Sequence, residues 1–562
     1  SIYCSLLASQ AVHGAMAGYS GITAGKVDGR YVMLPIHAII AGGRKVDLKS
    51  REFERLLATT GQPNLVPTGG DDWALMPPYP DPKPAAPAPG PAPEVDTLEF
   101  KNLKSEAQAQ AYRAKHASSV DLDGTAKLQV FDGQGTLKEE RSLRREDLMS
   151  ERNKIHRLEV MNLSDKFHSK SVQSPLKGAR MSGFVTNDCW TAEAFSHSER
   201  VDSMVQGQAY YQFLRAGPRE HLYFDPMDAS FCAAIITSGG LCPGVSSAVR
   251  ELVLTLYRYG VQKVYGIRDG FHGIVDESSW MELTPEVVQN IHDKGGSILR
   301  NSRGNPPMTD AAKALKAKKV SQFFGVGGEG THKGMLQCFT ALLAAGHECA
   351  CIAVPSTINN DIQFLDKSIG FETVCTVARD SVEAAYVEAT CNANCIGLVK
   401  LTGVTNGFLG LETSLATLNV DICLLPEMEI CFEKVLAHCM EIMNTKGYGV
   451  ILVADGCRDK LFRKANEQHD LKDVGVWVRD KILAYFKEKG RTLTIKYIDP
   501  TYTVRACKAN GWDSVYASTL AEHAVHGAMA GFTGVSAASI YNQPVYMPLQ
   551  VVSQTPQKDV NM

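Results

Sequence analysis

Residues 322–346 read QFFGVGGEGTHKGMLQCFTALLAAG. A short run with no polar alternation, QFFGVG, ends at adjacent glycines and passes into a helix-like pattern. A strand apolar on both faces belongs in a sheet covered on both sides. Strand, glycine loop and helix in succession are the repeating unit of a parallel α/β fold. The succession recurs on either side. AAIITS precedes VSSAVRELVLTLYRYG and CIAVP precedes FETVCTVARDSVEAAYVEAT; IGLVKL, ICLLPE, GVILVAD and LTIKYI follow. The pattern predicts an α/β core with parallel-rich sheets from residue 227 to 562. Ligands of such sheets sit just beyond the C-terminal ends of the strands.

Composition bounds the function. The chain has 562 residues, 44% hydrophobic and 21% charged, enough for a large packed core and against a disordered or fibrous protein. Its 58 basic and 61 acidic residues leave a net charge of −3, without an electrostatic footprint for nucleic acid or an anionic membrane. No run of apolar residues is long enough to span a bilayer. No basic stretch followed by an apolar run opens the sequence, so no signal peptide is expected. The 15 cysteines lie among apolar neighbours and are expected to be reduced core residues of a cytoplasmic protein. Cys391 with Cys395 and Cys349 with Cys351 lack a second pair at zinc spacing.

SIYCSLLASQAVHGAMAGYSG at 1–21 returns as SVYASTLAEHAVHGAMAGFTG at 514–534, with 14 of 21 positions identical. The register runs without a gap to Pro35 and Pro548. An offset of a whole domain means that one unit ends near residue 62 and a homologous unit ends at 562. Eleven of the 25 prolines fall between Pro63 and Pro93, so 63–99 is expected to be an extended, semi-rigid linker. Residues 100–226 are expected to form an arm, with the charged stretch LKEERSLRREDLMSERNKIHRLEVMNL at 137–163 as a solvated helix.

Three loops after strands carry the chemistry. Gly239-Gly240-Leu241-Cys242-Pro243-Gly244 lets backbone N–H groups approach an anion at the positive end of the next helix, although a tight turn that needs glycine for geometry alone reads the same. Gly325-Val326-Gly327-Gly328-Glu329-Gly330 fits the dinucleotide fingerprint in form. The next strand ends in Val354-Pro355-Ser356-Thr357, with no acid to hold a ribose. An acid inside the loop, Glu329, suits Mg²⁺ bridged to nucleotide phosphates instead. Ser356-Thr357-Ile358-Asn359-Asn360-Asp361 gathers hydroxyls, amides and a carboxylate, suited to a polyhydroxylated ligand or to a capped turn.

TSGGLCPG, GGEGTHKG, STINND, KLTGVTNGF, KYIDPTY and AVHGAMAG occur in order and at matching spacing. Together they resemble ATP-dependent 6-phosphofructokinase, in its long plant- and protist-type branch. The resemblance covers roughly 160–550 and 1–66, where RKVDLKSREFERLLATTGQP is similar to the family's C-terminus. It implies two stacked Rossmann-like α/β domains with the active site in the cleft between them, and an oligomer, homotetrameric or larger. It also implies phosphoryl transfer from ATP, with Mg²⁺, to the 1-hydroxyl of fructose 6-phosphate. Residues 1–62 then resemble the C-terminal fragment of a preceding phosphofructokinase-like copy, an upstream partner within the same polypeptide. The resemblance assigns Gly239, Gly240, Arg303, Gly328, Gly330, Thr331 and Gly334 to the nucleotide and Glu329 to the metal. It assigns Thr357, Asp361, Thr402, Gly403, Asp455, Tyr497 and Arg505 to the sugar phosphate, with Thr357 and Asp361 also at the reacting centre.

The departures fall in one cleft. Asn359 stands where the family carries the aspartate that takes the proton from the 1-hydroxyl; an amide is no useful proton acceptor. Val404 stands where the family carries the arginine that stabilises the transferring phosphoryl group. Glu329 and Asp455 each differ by one methylene from the family's acids, and Arg300 replaces a glycine. Gly330 is the residue typical of ATP users, against aspartate in pyrophosphate users; Ser356 matches neither type. Four outcomes stay open: a catalytically weakened half kept for binding and regulation, a working ATP enzyme with Asp361 as base through a water, a pyrophosphate-dependent enzyme, and an assembly module with no small-molecule site.

Overall fold

The computed structural model describes residues 2–36 apart from 28–29, Ile39, separate segments between 125 and 193, and 210–554 apart from 465–472. The proline-rich stretch 63–99, residues 40–62 and most of 100–209 lie outside the described residues. The chain divides into two units, Ser1–Val46 with Arg157–His197 and Tyr211–Met562, and Asp47–His156 with Ser198–Tyr210.

The first unit opens with helix α1 (Ile2–Met16) and strands β1 (Ile22–Val27) and β2 (Arg30–Pro35), antiparallel to each other in a two-stranded sheet of their own. In the second unit β3 (Thr125–Phe131) pairs antiparallel with β4 (Leu137–Arg144). The helix expected from residue 137 onward is therefore corrected: its first eight residues are a strand. Thr125, Val130 and Phe131 favour a strand, and Asp132-Gly133 between the two runs is a hairpin signal that outweighs the charge pattern.

The core of the first unit has two sheets. In the first lobe β5 (Ala233–Thr237) leads to α2 (Val245–Tyr259) and β6 (Val264–Ile267). Helix α3 (Met308–Ala317) precedes β7 (Gln322–Gly327), α4 (Glu329–Ala344) and β8 (Ala350–Pro355). In the second lobe α5 (Phe371–Cys391) leads to β9 (Cys395–Leu401), then α6 (Phe408–Thr417), β10 (Ile422–Leu424), α7 (Phe432–Thr445) and β11 (Tyr448–Ala454). Helix α8 (Val474–Glu488) and β12 (Thr494–Ile498) complete it. The chain then returns to the first sheet through α9 (Gly511–Met529), β13 (Val535–Ile540) and β14 (Gln543–Pro548).

Within the first sheet β6-β5-β7-β8-β13 are parallel neighbours, with Trp280–Glu282 antiparallel beside β6 and β14 antiparallel beyond β13. The second runs β10-β11-β9-β12, all parallel. Strands β5, β7 and β8 are buried at every residue, whereas the edge strands β10 and β12 of the second sheet are only partly covered. Helix α2 explains why such strands stay covered. Val245, Ala248, Val249, Leu252, Val253, Leu256 and Tyr259 make a helical stripe, and all are buried. Gly244 (φ +89°) and Gly260 (φ +102°) bound it in the left-handed conformation that glycine tolerates. At about 25 cal/mol per Å² of apolar area, each such large side chain contributes roughly 1.5–3 kcal/mol.

Candidate active site

Parallel register sets the site. Thr237 of β5 lies opposite Val326 of β7, and Val326 opposite Val354 of β8, so the three glycine and hydroxyl loops leave the sheet edge at one level. With the loop after β9 and the turn carrying Arg505, they enclose a cavity of about 440 Å³.

The first loop is pinned to the segment holding Arg303. Gly239 N donates to Ser302 O at 3.1 Å, Ser238 Oγ donates to the same carbonyl at 3.1 Å, and Asn301 Nδ2 donates to Gly240 O at 3.1 Å. Gly239 has φ +99°, a conformation open to glycine. A Cβ on Gly240 would lie 3.8 Å from Arg303 Nη2, so the guanidinium borders the loop without filling it. Arg300 has φ +57°, a left-handed conformation that glycine would adopt more easily.

The second loop clasps the first. Thr331 Oγ1 donates to Ser238 O at 3.1 Å, and a Cβ on Gly327 would come within 2.4 Å of that carbonyl. Helix α4 begins at Glu329, with Gly328 as its N-cap, and so turns its positive end toward the cavity. His332 holds this turn from behind. Its Nδ1 lies 2.9 Å from Gly328 O and its Nε2 2.9 Å from Ser536 Oγ. A carbonyl only accepts, so Nδ1 carries the proton and Nε2 accepts from the serine. Burial pushes the His332 pKa down to about 4, which keeps this tautomer neutral.

The third loop carries the altered residues. Asn359 N donates to Thr357 Oγ1 at 3.2 Å, and Asn359 Nδ2 reaches Asp361 Oδ2 at a long 3.5 Å. Asn359 Oδ1 and Asp361 Oδ1 are both buried without a hydrogen-bond partner. Burial holds the Asp361 carboxyl above its ordinary range, tempered by hydrogen bonds that include those from Asn359 and Thr357. Asn360 is structural: at φ +53° its Oδ1 accepts from Ser368 N at 3.0 Å.

From the second lobe Thr402 and Val404 line the same cavity, and Val404 is 62% exposed. Arg505 lines it too, its guanidinium 4.8 Å over the Tyr502 ring. Two cations, Arg303 and Arg505, and two carboxylates, Glu329 and Asp361, thus line one cavity. Glu329 also pairs with Lys333 one turn on.

No cluster of three or more metal-ligating side chains occurs among the described residues. One carboxylate is nonetheless the donor set Mg²⁺ takes when substrate phosphates supply the rest. Glu329 fits that role, beside the unpartnered Asp361 oxygen, at the cost of its pairing with Lys333.

Of the residues assigned from sequence, the cavity brings together Gly239, Gly240, Arg303, Gly328, Glu329, Gly330, Thr331, Thr357, Asn359, Asp361, Thr402, Val404 and Arg505. Gly334, Gly403, Asp455 and Tyr497 are not among its lining residues. Gly334 lies one turn into α4, where a Cβ would meet the Phe271 ring at 2.6 Å. Gly403 (φ +148°) accepts from Gly456 N, and Asp455 N donates back to Leu401 O at 2.9 Å. Tyr497 donates to Asp473 at 2.7 Å beside Lys400, which pairs with Asp473 at 2.6 Å and Asp499 at 2.7 Å. Burial opposes the Lys400 charge, but the two aspartates outweigh it and hold its pKa above the ordinary value. Ser238, Leu241, Cys242, Gly304, Asn305, Ser356 and Ile358 also line the cavity. Most are immediate neighbours of assigned residues, which is the signal that would have found them.

The fold and the cavity define a two-lobed α/β protein with glycine-rich loops gathered at the strand ends. A profile described as phosphofructokinase matches residues 232–528. The chain is 39% identical to ATP-dependent 6-phosphofructokinase 5, chloroplastic, of Arabidopsis thaliana, over 61% of this chain and 65% of that protein. It is 36% identical to ATP-dependent 6-phosphofructokinase 7 of the same plant (64% and 76%) and 37% identical to ATP-dependent 6-phosphofructokinase of Borreliella burgdorferi (65% and 88%). The pyrophosphate-dependent phosphofructokinase of Marinobacter aquaeolei superposes with a TM-score of 0.52 at 18% identity, covering 59% of this chain and 85% of that one. The chain belongs to the phosphofructokinase family.

Proposed function

We propose that residues 227–562 are a phosphofructokinase core that binds ATP with Mg²⁺ and fructose 6-phosphate but transfers the phosphoryl group poorly, and that it serves as the binding or regulatory half of a larger assembly. In the same proposal residues 1–62 are the C-terminal fragment of a preceding copy, 63–99 the linker and 100–226 the arm of the second copy. Among the described residues no helix is long and apolar enough to cross a membrane; with a glycolytic substrate, a cytoplasmic setting is the natural one.

One observation carries the reading: the intact phosphate loops and the altered residues Asn359 and Val404 line a single cavity. Gly239, Gly240 and the start of α4 offer backbone N–H groups, and Arg303 a cation, to the nucleotide phosphates. At Gly330 a Cβ would meet nothing within 4 Å, so the missing side chain leaves free space, in keeping with ATP. Arg505 offers a cation to the sugar phosphate. Mg²⁺ on Glu329 would neutralise charge on the phosphates. Transfer to the 1-hydroxyl releases a proton, and Asn359 has no group to take it. Loss of a general base costs about 10²–10⁴ in rate. Val404 presents methyl groups where charge develops; an arginine in such a place is worth about 10³ or more.

A second reading, an active enzyme, has one observation in its favour. Asp361 is buried, raised in pKa, and has an oxygen without a partner, the attributes of a poised base. Assay of the full chain and of Asp361→Asn separates the two. Weak turnover that Asp361→Asn hardly changes supports the weakened half; strong turnover lost in Asp361→Asn supports the active enzyme.

A further inference from the structure

We propose that the face of α1 made by Cys4, Ala8, Ala11, Val12, Ala15 and Met16 is a docking surface for a second phosphofructokinase-type lobe, which lays on it the helix following its own first glycine loop. The inference rests on the reading of residues 1–62 as the end of another copy, and is independent of whether this copy turns over.

The internal repeat shows what such a face is for. At the offset of the sequence repeat, β1 and β2 coincide residue for residue with β13 and β14, and α1 ends where α9 ends. The strand registers agree: Ile22 pairs with Pro35 as Val535 pairs with Pro548. Gly18 and Gly531 both have φ +84°, and Gly21 and Gly534 both +67°. The two segments are one structural unit in two surroundings.

In α9 the six equivalent residues, Ala517, Ala521, Ala524, Val525, Ala528 and Met529, are each 0% exposed. They share one core cluster with Val249, Val253, Leu256 and Tyr259 of α2. In α1 all six are exposed, with Val12 at 61% and Met16 at 84%. A polar contact marks the same difference. His526 Nδ1 lies 2.8 Å from the Tyr259 hydroxyl of α2, whereas its equivalent His13 is exposed and lies 3.3 Å from Ser9 of its own helix. The missing partner is therefore specified in kind: an amphipathic helix of the α2 type ending in a tyrosine.

The placement of α1 supports the same partner. A cavity of about 770 Å³ is lined by Tyr3, Leu6, Lys26 and Tyr31 together with their repeat equivalents Tyr516, Thr519, Ser539 and Pro544. Equivalent residues meeting at one contact are the mark of a local two-fold axis. Residues 2–27 and 30–35 thus sit beside the core as the edge of a neighbouring copy would, and the docking face is a different face of α1 from the one at this contact.

The probe is a labelled, helix-stabilised peptide of residues 243–262 of this chain, PGVSSAVRELVLTLYRYGVQ, titrated into the full chain. Saturable binding is expected, with slowed hydrogen exchange across residues 4–16. Val12→Glu with Met16→Glu should weaken it at least tenfold, as both side chains are exposed and tolerate the change. Val515→Glu, also exposed, should leave it unchanged. A Tyr259→Phe peptide should bind several-fold more weakly, and no further loss should follow from His13→Gln. Absence of binding, or binding indifferent to Val12→Glu with Met16→Glu, overturns the proposal. Sedimentation of the peptide-free chain runs alongside: because α2 of this chain is already buried against α9, self-association abolished by the same pair would mean that a different surface covers the face, and would also overturn the proposal. The ATP-induced melting shift of the charged variant separates the readings, since its persistence leaves the nucleotide proposal standing while peptide binding decides this one.

Discussion

His332 shows how one side chain couples the site to the sheet behind it. Its ring links Gly328 in the second glycine loop to Ser536 in β13, and burial favours its neutral form. Its folded pKa, about 4, is below the unfolded value of about 6.5, so the unfolded chain binds the extra proton between those values. Stability from this group is complete above pH 6.5 and falls as pH drops toward 4, by about 3 kcal/mol in all. Asp361 and Asp513, raised by burial, act with opposite sign in acid. The check is the difference between wild type and His332→Gln: the variant's urea midpoint should be the flatter from pH 6.5 to 4. At the reacting centre, Asn359→Asp restores a proton acceptor and Val404→Arg a cation. Val404 is 62% exposed, so the arginine meets no burial penalty. Each alone should give little fructose 1,6-bisphosphate, and the pair at least 10²-fold more than wild type, a cooperative gain because both act on one transition state.

At the scale of elements, α9 ties the two lobes together through its first turn. Asp513 accepts from Gly370 N at 3.0 Å, Thr373 N at 2.7 Å and Thr373 Oγ1 at 2.6 Å, filling the open N-terminus of α5. Asp513→Ala leaves buried donors bare and should cost about 3 kcal/mol, read as a lower urea midpoint; Asp513→Asn, which keeps an acceptor, should lose less. The central strands β5, β7, β8 and β11 were legible because a run apolar on both faces has few other places to go. The β3–β4 hairpin was misjudged because Lys138, Glu139, Glu140 and Arg141 suggest a solvated helix, while the partner strand that decides the matter lies outside that window. The loops around Gly239, Glu329 and Asn359 could be read as neighbours in function. Their clasp, Thr331 onto Ser238, depends on parallel register, which spacing along the chain does not encode. The same limit hides the bond from Tyr497 to Asp473 beside the Lys400 ion pairs, which the pairing of β12 beside β9 brings together.

For the whole molecule, the proposed function predicts binding without efficient chemistry. Millimolar ATP with Mg²⁺ should raise the melting temperature of the full chain, since a ligand of the native state stabilises it by RT ln(1 + [L]/Kd). Gly330→Asp, which fills free space at the cavity, should remove that shift and leave the ligand-free melting temperature nearly unchanged. The most direct test is the rate of fructose 1,6-bisphosphate formation by the full chain at saturating ATP, Mg²⁺ and fructose 6-phosphate, measured on a sample whose melting shift proves that nucleotide is bound. The account predicts a rate at least about 10²-fold below the ordinary kinase range of about 1–100 s⁻¹. A rate inside that range would contradict it and leave Asp361, not Asn359, as the residue at which the proton goes.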